Sequence, residues 1–232
     1  MVRLKEAFLF GRFMFQAVGV HGPELTPFAH GVMVTVLVAA SFVLLMGSRR
    51  PHPSVVAGLG TLIVVAAALR VAFQPLPNIQ PVTVAALLIG ARLGAARGAA
   101  FAVLVALVSN VLIGEGWWTL FQALGWASVA WLGSRFTFQD EHGFDLRGFI
   151  RLSFASAFVF GLVVSFSLVE PGMTLIGFAQ VLFLGLPFDL VHAVGNVAFA
   201  AWLGPALHRF LDDVRTMEAS SRAVGDFHVV HG

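Results

Sequence analysis

Long apolar segments separated by short polar turns run through most of this chain. A helix needs about 20 apolar residues to cross the hydrocarbon core of a bilayer, and shorter segments are tilted, re-entrant or interfacial. By that measure the sequence predicts helices over residues 29–47, 54–73, 82–93, 97–113, 119–136, 149–168 and 186–210. Pro187 is expected to break the helix and leave 173–185 as a separate short outer helix. The predicted fold class is an all-α polytopic membrane protein.

The two ends of the chain differ from this pattern. Residues 7–20 are apolar but short and contain Arg12, which predicts an interfacial helix or half of an N-terminal helical hairpin closed by 21–27. Eight crossings are favoured over seven. Residues 212–232 are polar and without helical amphipathicity, so we expect a mobile tail. The predicted organisation is an N-terminal membrane helix or hairpin (1–50), a six-helix core (51–210) and a polar cytoplasmic tail (211–232).

Composition supports the membrane class and excludes several others. Hydrophobic residues make up 58% of the chain and charged residues 11%, with a mean hydropathy of +0.89, whereas soluble domains are about one quarter charged. A net charge of only +2 gives no reason to expect a nucleic-acid partner. The chain has no cysteine, so thiolate chemistry and cysteine metal sites are excluded, and no metal or cofactor is predicted.

Basic residues lie on alternate turns. They are Arg49, Arg50, Arg92, Arg97, Arg135, Arg147, Arg151, Arg209, Arg215 and Arg222. The intervening turns at 74–81, 114–118 and 170–172 contain no Lys or Arg. The positive-inside rule therefore predicts that the basic turns and the C-terminus are cytoplasmic and that the other turns face outward.

Polar and aromatic residues gather at the outward turns. They are Asn78, Gln80, Asn110, Glu115, Trp117, Trp118, Thr119, Gln122 and Trp126. Gln122 and Trp126 are four residues apart and share a helix face. Asp189, His192 and Asn196 form a second polar stripe on the last helix. Ionisable groups inside a membrane are costly and usually face protein or water, so these residues predict a ligand site in the outer layer.

Structural roles are the alternatives for the same residues. Trp117 and Trp118 are also typical of an aromatic belt at the membrane boundary. Asn78 between prolines can cap a turn, and His192 can hydrogen-bond to another helix. Arg70 is expected to extend its side chain to the outer interface, with pairing to Asp189 or to an anionic ligand group as the alternative.

Small residues indicate close helix packing. Gly90, Gly94 and Gly98 are spaced by four around a basic turn, and a second group lies on the helix before it. That second group comprises Ala57, Gly60, Ala68 and Ala72. Such surfaces fit either packing within the chain or contact with a membrane partner.

Four segments, in this order, resemble the substrate-binding S components of energy-coupling factor (ECF) transporters, which capture vitamins and related micronutrients. They are LPNIQPVT at 76–83, GARLGAARG at 90–98, SNVLIGEGWWTLFQALGW at 109–126 and PFDLVHAVGN at 187–196. The resemblance covers residues 54–210. The family usually has glycine-proline-tryptophan-threonine where this chain has GWWT, so Trp117 replaces a proline.

The resemblance implies an S-component-like six-helix core preceded by one or two extra N-terminal helices. It implies capture of a vitamin-like substrate, with a slight preference for cobalamin-type compounds, in the plasma membrane of a prokaryote. Delivery would require a transmembrane coupling subunit and two ATPase subunits, because this chain has no G-x-x-x-x-G-K-[ST] motif and is not itself expected to be an enzyme.

Individual residue roles follow from the same resemblance. Substrate contacts are assigned to Asn78, Gln80, Asn110, Trp118, Thr119, Gln122, Trp126, Asp189, His192 and Asn196. The coupling surface is assigned to Ala57, Gly60, Ala68 and Ala72.

Three other functional classes remain open from the sequence. An intramembrane enzyme would use Asp189 and His192 as a base pair or as metal ligands, although neither H-E-x-x-H nor G-x-S-x-G is present. A stand-alone secondary transporter is expected to show internal repeats, which the core lacks. A purely structural membrane protein would not need the polar stripe of the last helix.

Overall fold

The computed structural model describes residues 15–19, 22–47 and 51–231, with side chains described within 24–47 and 51–221. The helices of this part of the chain are α1 (Pro27–Met46), α2 (Pro53–Ala72), α3 (Val82–Leu93), α4 (Ala95–Ile113), α5 (Trp117–Gly133), α6 (Leu146–Ser165) and α7 (Leu175–His231). A 3-10 helix (Phe166–Leu168) follows α6. The strands β1 (Phe15–Gly19) and β2 (Gly22–Leu25) pair antiparallel, as do β3 (Gln139–Asp140) and β4 (Gly143–Phe144).

In the part of the chain that the structure describes, five segments are long and apolar enough to cross a membrane. They are Pro27–Met46, Pro53–Ala72, Ala95–Ile113, Leu146–Leu168 and Leu175–Ser221. The bounds of α1 to α6 lie within a few residues of the predicted ones. The all-α polytopic fold class is therefore confirmed.

The short helix α3 forms the centre of the bundle and contacts α2, α4, α5, α6 and α7. Every residue from Val82 to Gly90 is buried. A side chain at Gly90 would overlap the carbonyl oxygen of Ala130, and one at Gly133 would overlap that of Leu87. The backbones of α3 and α5 thus approach closely, and Gly90 contributes to packing within the chain.

The small residues of α2 have a different environment. Ala57, Ala68 and Ala72 are exposed, and a side chain at Gly60 would meet no atom within 4 Å. Gly58, in contrast, is buried against Val214 of α7. The predicted coupling residues therefore leave an open strip on the outer surface of α2.

The prediction of a helix over 7–20 is wrong for the part that the structure describes. Phe15–Gly19 is a strand that pairs with Gly22–Leu25, and the second half of the expected helical hairpin is α1. Residues 7–14 and Val20 lie outside the described residues, as do Arg49 and Arg50. The short segment FQAVG gains backbone hydrogen bonds from a neighbouring strand, which an isolated short helix cannot match. The described residues contain α1 and the six helices α2 to α7.

The predicted break at Pro187 and the separate outer helix over 173–185 are also wrong, because α7 is continuous across Pro187 and Pro205. A proline removes one backbone hydrogen bond, a loss that membrane helices tolerate when neighbouring groups or local adjustments compensate. At about 1.5 Å per residue, the 57 residues of α7 extend roughly 85 Å. That length exceeds the ~30 Å hydrocarbon core, so α7 projects beyond the bilayer.

The predicted mobile tail is helical, and ion pairs hold it against the α3–α4 turn. Arg97 donates from both Nη atoms to the Glu218 carboxylate at 2.8 and 2.7 Å. Arg92 pairs with Asp212 one turn and a half earlier. Bidentate arginine–carboxylate contacts are strong and directional. The sequence of this segment has no apolar stripe, and a tail without structure was therefore predicted. The ion pairs hold the helix in place of such a stripe.

The two ends of the bundle carry different residues. The basic end contains the α3–α4 turn with Arg92 and Arg97 and the far part of α7. The opposite end contains the start of α1, residues 74–81 and residues 114–118, and we call it the cavity end. His30 Nε2 lies 2.7 Å from Glu115 Oε2, which fixes the start of α1 beside the α4–α5 turn.

Candidate functional site

A cavity of about 490 Å³ lies among the loop after α2, the α4–α5 turn and the last turn of α6. Its lining residues are Arg70, Asn78, Gln80, Asn110, Ile113, Gly114, Trp118, Gln122, Val164, Ser167 and Leu168. The residues that were predicted to contact substrate and that line it are Asn78, Gln80, Asn110, Trp118 and Gln122. A volume of this order suits a small molecule, since ligand pockets span about 300–1,000 Å³.

Arg70 places its guanidinium group in the wall of the cavity. Only 2% of the residue is exposed. Nε donates to Gln80 Oε1 at 3.0 Å, and Nη2 donates to Gln122 Oε1 at 3.1 Å. Nη1 donates to Ser109 Oγ and, at 2.5 Å, to Asn110 Oδ1. All four acceptors are neutral.

The guanidinium group determines how the surrounding amides are oriented. Arginine has five N–H donors and no acceptor, so each contacting amide presents its oxygen to Arg70. Gln80 and Gln122 consequently keep NH₂ groups that donate to no acceptor within the described part of the protein. The polar wall of the cavity is therefore rich in donors.

Asn110 connects Arg70 to the start of α5. Its Oδ1 accepts from Arg70, while its Nδ2 donates to Thr119 Oγ1 at 2.7 Å and to Gln122 Oε1 at 2.9 Å. Thr119 Oγ1 also accepts from the backbone N–H of Gly116 at 3.3 Å. Thr119 is fully buried and does not line the cavity. It positions Asn110 and the first turn of α5.

Trp126 lies behind the cavity wall. Arg70 Cζ is 5.0 Å from the centroid of its ring, a distance at which a cation is attracted to the aromatic face. The ring also stacks on Phe160 with centroids 4.8 Å apart. Its Nε1 donates to Thr83 Oγ1 at 3.1 Å. Trp126 therefore contacts Arg70 but does not line the cavity.

The three polar residues of the last helix do not join the cavity. His192 Nε2 forms a hydrogen bond with Thr83 Oγ1 at 2.8 Å, and Asn196 Nδ2 donates to the carbonyl oxygen of Ser153 at 3.0 Å. Asp189 is partly exposed beside Gly161 and forms no hydrogen bond or ion pair with the described residues. Substrate contacts were assigned to all three of these residues, and none of them lines the cavity. The pairing of Asp189 with His192, on which the enzyme alternative depends, is not formed either.

Arg70 lies elsewhere than its sequence predicted. Its side chain turns inward towards α4, α5 and the loop before α3 instead of extending to the membrane interface. The signal was present in the sequence, because Gln80, Asn110 and Gln122 supply acceptors at the level of the same helix ends. The distance between these residues along the chain hid the contact.

The start of α1 and the strand β2 border the cavity end. β2 contacts both α5 and the 3-10 helix, and Trp118 is shared between the main cavity and a neighbouring depression of about 410 Å³. Glu24, His30 and Glu115 line that depression. The N-terminal segment therefore lies beside the cavity, next to Trp118.

A separate crevice of about 230 Å³ between α2, α3 and α7 has a different character. All its lining residues are apolar, among them Leu62, Leu69 and Phe210. It offers no polar group to orient a ligand. The cavity beside Arg70 is thus the candidate site.

Comparison with protein families gave one match. Residues 49–211 match the model of DUF6580, a family of unknown function. The chain belongs to this family. Searches of curated proteins and of solved structures returned no match. The matched part of this DUF6580 chain begins after α1 and includes every residue that lines the cavity.

Proposed function

We propose that the chain is the membrane-embedded capture subunit of an ATP-driven, ECF-type importer for a vitamin or related micronutrient. The observation that carries the proposal is the cavity of about 490 Å³ at one end of a membrane helix bundle, lined by Arg70 and four side-chain amides. The amides orient a polar ligand and Trp118 offers an aromatic face beside them. A structural membrane protein would not need this set of donors.

In this proposal the cavity end faces the outside of a prokaryotic plasma membrane. The turns at 74–81 and 114–118 contain no Lys or Arg, and Arg92 and Arg97 lie at the other end. Positive residues favour the cytoplasmic side. The far part of α7 is then cytoplasmic.

Energy for transport would come from partners. The chain has no phosphate-binding ATPase motif, so two ATPase subunits and a transmembrane coupling subunit are required. The exposed strip formed by Ala57, Gly60, Ala68 and Ala72 on α2 is the proposed coupling surface, because small residues allow the backbones of two helices to approach.

Native mass spectrometry of the detergent-purified chain tests the capture function. We expect a co-purified molecule of vitamin size and, with added vitamins, a rise in Tm for the compound that binds. Gln80→Ala should weaken binding at least tenfold, about 1.4 kcal/mol. Gln74→Ala is the matched control, because Gln74 lies in the same loop but does not line the cavity.

The capture function is wrong if the purified chain is empty and no vitamin changes its Tm. Equal binding by the Gln80→Ala and Gln74→Ala variants would move the binding site away from this cavity.

A further inference from the structure

The buried guanidinium group of Arg70 has no counter-ion in the part of the chain that the structure describes. Its partners are a serine hydroxyl and three amide oxygens. The carboxylate nearest in sequence to this region, Glu115, pairs with His30 at 2.7 Å. Asp189 forms no ion pair with the described residues. A full positive charge therefore stands in the cavity wall with neutral neighbours.

Such an arrangement is costly unless a negative charge completes it. A charged side chain within a membrane segment usually pairs with an opposite charge or faces a water-filled cavity or a transport pathway. Neutral hydrogen bonds replace part of the lost hydration, and the face of Trp126 adds a cation–π contact. Neither supplies a formal negative charge. The protein thus maintains a positively charged site that a ligand can neutralise.

The unused donors are arranged to meet an anion. Four of the five N–H groups of Arg70 are engaged, since Nε and Nη2 each donate once and Nη1 donates twice. One Nη2 N–H therefore remains. The free NH₂ groups of Gln80 and Gln122 flank the guanidinium group, because their oxygens already accept from it. Carboxylate and phosphate oxygens accept several hydrogen bonds from such a set.

We propose that the ligand captured in this cavity carries an anionic group, a carboxylate or a phosphate, that binds against Arg70, Gln80 and Gln122. This inference rests on the proposed capture function and names the chemical class of its substrate. A cationic ligand would be repelled by Arg70, and a neutral ligand would leave the guanidinium charge uncompensated.

The test uses pairs of compounds that differ in the anionic group. For carboxylates the pairs are nicotinate with nicotinamide, pantothenate with pantothenol, and biotin with biotin amide. For phosphates they are pyridoxal 5′-phosphate with pyridoxal, and riboflavin 5′-phosphate with riboflavin. Binding of each compound to the purified full chain is measured by thermal shift and calorimetry. Any co-purified molecule is released and its charge at pH 7 determined by electrophoresis.

We expect the anionic member of at least one pair to bind at least tenfold more tightly than its neutral counterpart, and any co-purified molecule to be anionic. The pair that binds distinguishes a carboxylate from a phosphate. Arg70→Gln should reduce this ratio to near one, and Arg70→Lys should keep part of it because the charge remains. Arg135→Gln is the matched control, since Arg135 also lies over a tryptophan, with Cζ 4.4 Å from the Trp131 ring centroid, but is exposed and remote from the cavity.

Three results would overturn the inference. A neutral or cationic ligand that binds tightly would refute it and leave the capture function intact. Equal anion preference in the wild type and in Arg70→Gln would assign Arg70 a structural role. A chain that is empty, binds no compound of any pair and shows no change of Tm with any vitamin would refute the inference together with the capture function. If Arg70→Gln does not fold, the ratio of the affinities of the wild type for the anionic and the neutral member of a pair still tests the inference.

Discussion

The side chain of Gln122 forms its hydrogen bonds with the described residues through one atom. Its Oε1 accepts from Arg70 Nη2 at 3.1 Å and from Asn110 Nδ2 at 2.9 Å. Its NH₂ group has no acceptor in the described part of the chain. A glutamate at this position can therefore keep both contacts and add a negative charge beside Arg70, with almost no change in shape.

Gln122→Glu should stabilise the empty protein and weaken the binding of an anionic ligand. The new carboxylate neutralises Arg70 from within the chain, so the empty protein should melt at a higher Tm. The same carboxylate repels an incoming anion, so affinity should fall at least tenfold, about 1.4 kcal/mol. Thermal denaturation in detergent and calorimetry with the bound compound measure the two effects.

Gln74→Glu is the control for the added charge, because Gln74 is exposed at the same end of the molecule and does not line the cavity. It should change neither Tm nor affinity appreciably. A Gln122→Glu variant that binds the compound as well as the wild type does would be incompatible with an anion at Arg70.

At the residue scale, the sequence predicted the positions of the amide side chains of the cavity but not the position of its charged residue, Arg70. Asn78, Gln80, Asn110 and Gln122 were placed correctly at one end of the bundle, because polar residues beside turns without basic residues are visible in the pattern. Arg70 was misplaced, because a cation near a helix end reads as an interfacial residue. Its burial depends on acceptors from three other parts of the chain.

At the element scale, α3 and α5 are positioned by glycines. The backbones approach so closely that a side chain at Gly90 overlaps Ala130. This contact determines the position of α5 relative to α3. Trp118, Gln122 and Trp126 all lie on α5. The arrangement of the cavity wall therefore depends on a glycine contact outside it.

Gly90→Ala should destabilise the bundle by about 1–3 kcal/mol or more, because overpacking of a well-packed interior usually costs that much. The added methyl group meets backbone atoms of α5, which cannot move without shifting the helix. Gly31→Ala in α1 is the matched control, because an added side chain there meets no atom within 4 Å. It should be neutral or stabilising by up to about 1 kcal/mol, given the helix propensity of alanine. Equal Tm values for the two variants would contradict the close approach.

Contacts between elements also explain why the continuous helix α7 and the N-terminal strands were not predicted. Rules based on local sequence place a helix end at Pro187 and a tail after Phe210. Neither rule takes account of contacts with residues distant in sequence. The contacts of α7 with Arg92 and Arg97 are made across more than 100 residues of sequence. The strand β1 likewise depends on β2, whose short length carries almost no signal of its own.

At the scale of the whole molecule, the proposed coupling surface lies on α2. Ala72 is exposed near the end of α2, within two residues of Arg70 in sequence. Ala72→Trp should prevent co-purification with the coupling subunit while ligand affinity stays within about twofold of the wild type. Ala39→Trp, at an exposed position of α1, is the control for a bulky residue on the membrane surface. Normal assembly of the Ala72→Trp variant would remove this surface from the proposal.

The orientation of the molecule decides whether the cavity can capture a ligand from outside the cell. The chain contains no cysteine, so a single introduced cysteine reports its own position. Gln74 lies in the loop at the cavity end, and Glu141 lies in the exposed turn between β3 and β4 after Arg135 at the other end. If positive residues determine the orientation, the first position is extracellular and the second cytoplasmic.

In intact cells, a membrane-impermeant maleimide should therefore label Gln74→Cys and leave Glu141→Cys unlabelled. Both should react after the cells are lysed, which controls for the reactivity of the thiol. The reverse pattern would turn the cavity towards the cytoplasm, where Arg70 would receive its ligand from inside the cell. Export or intracellular binding would then replace uptake as the role of the cavity.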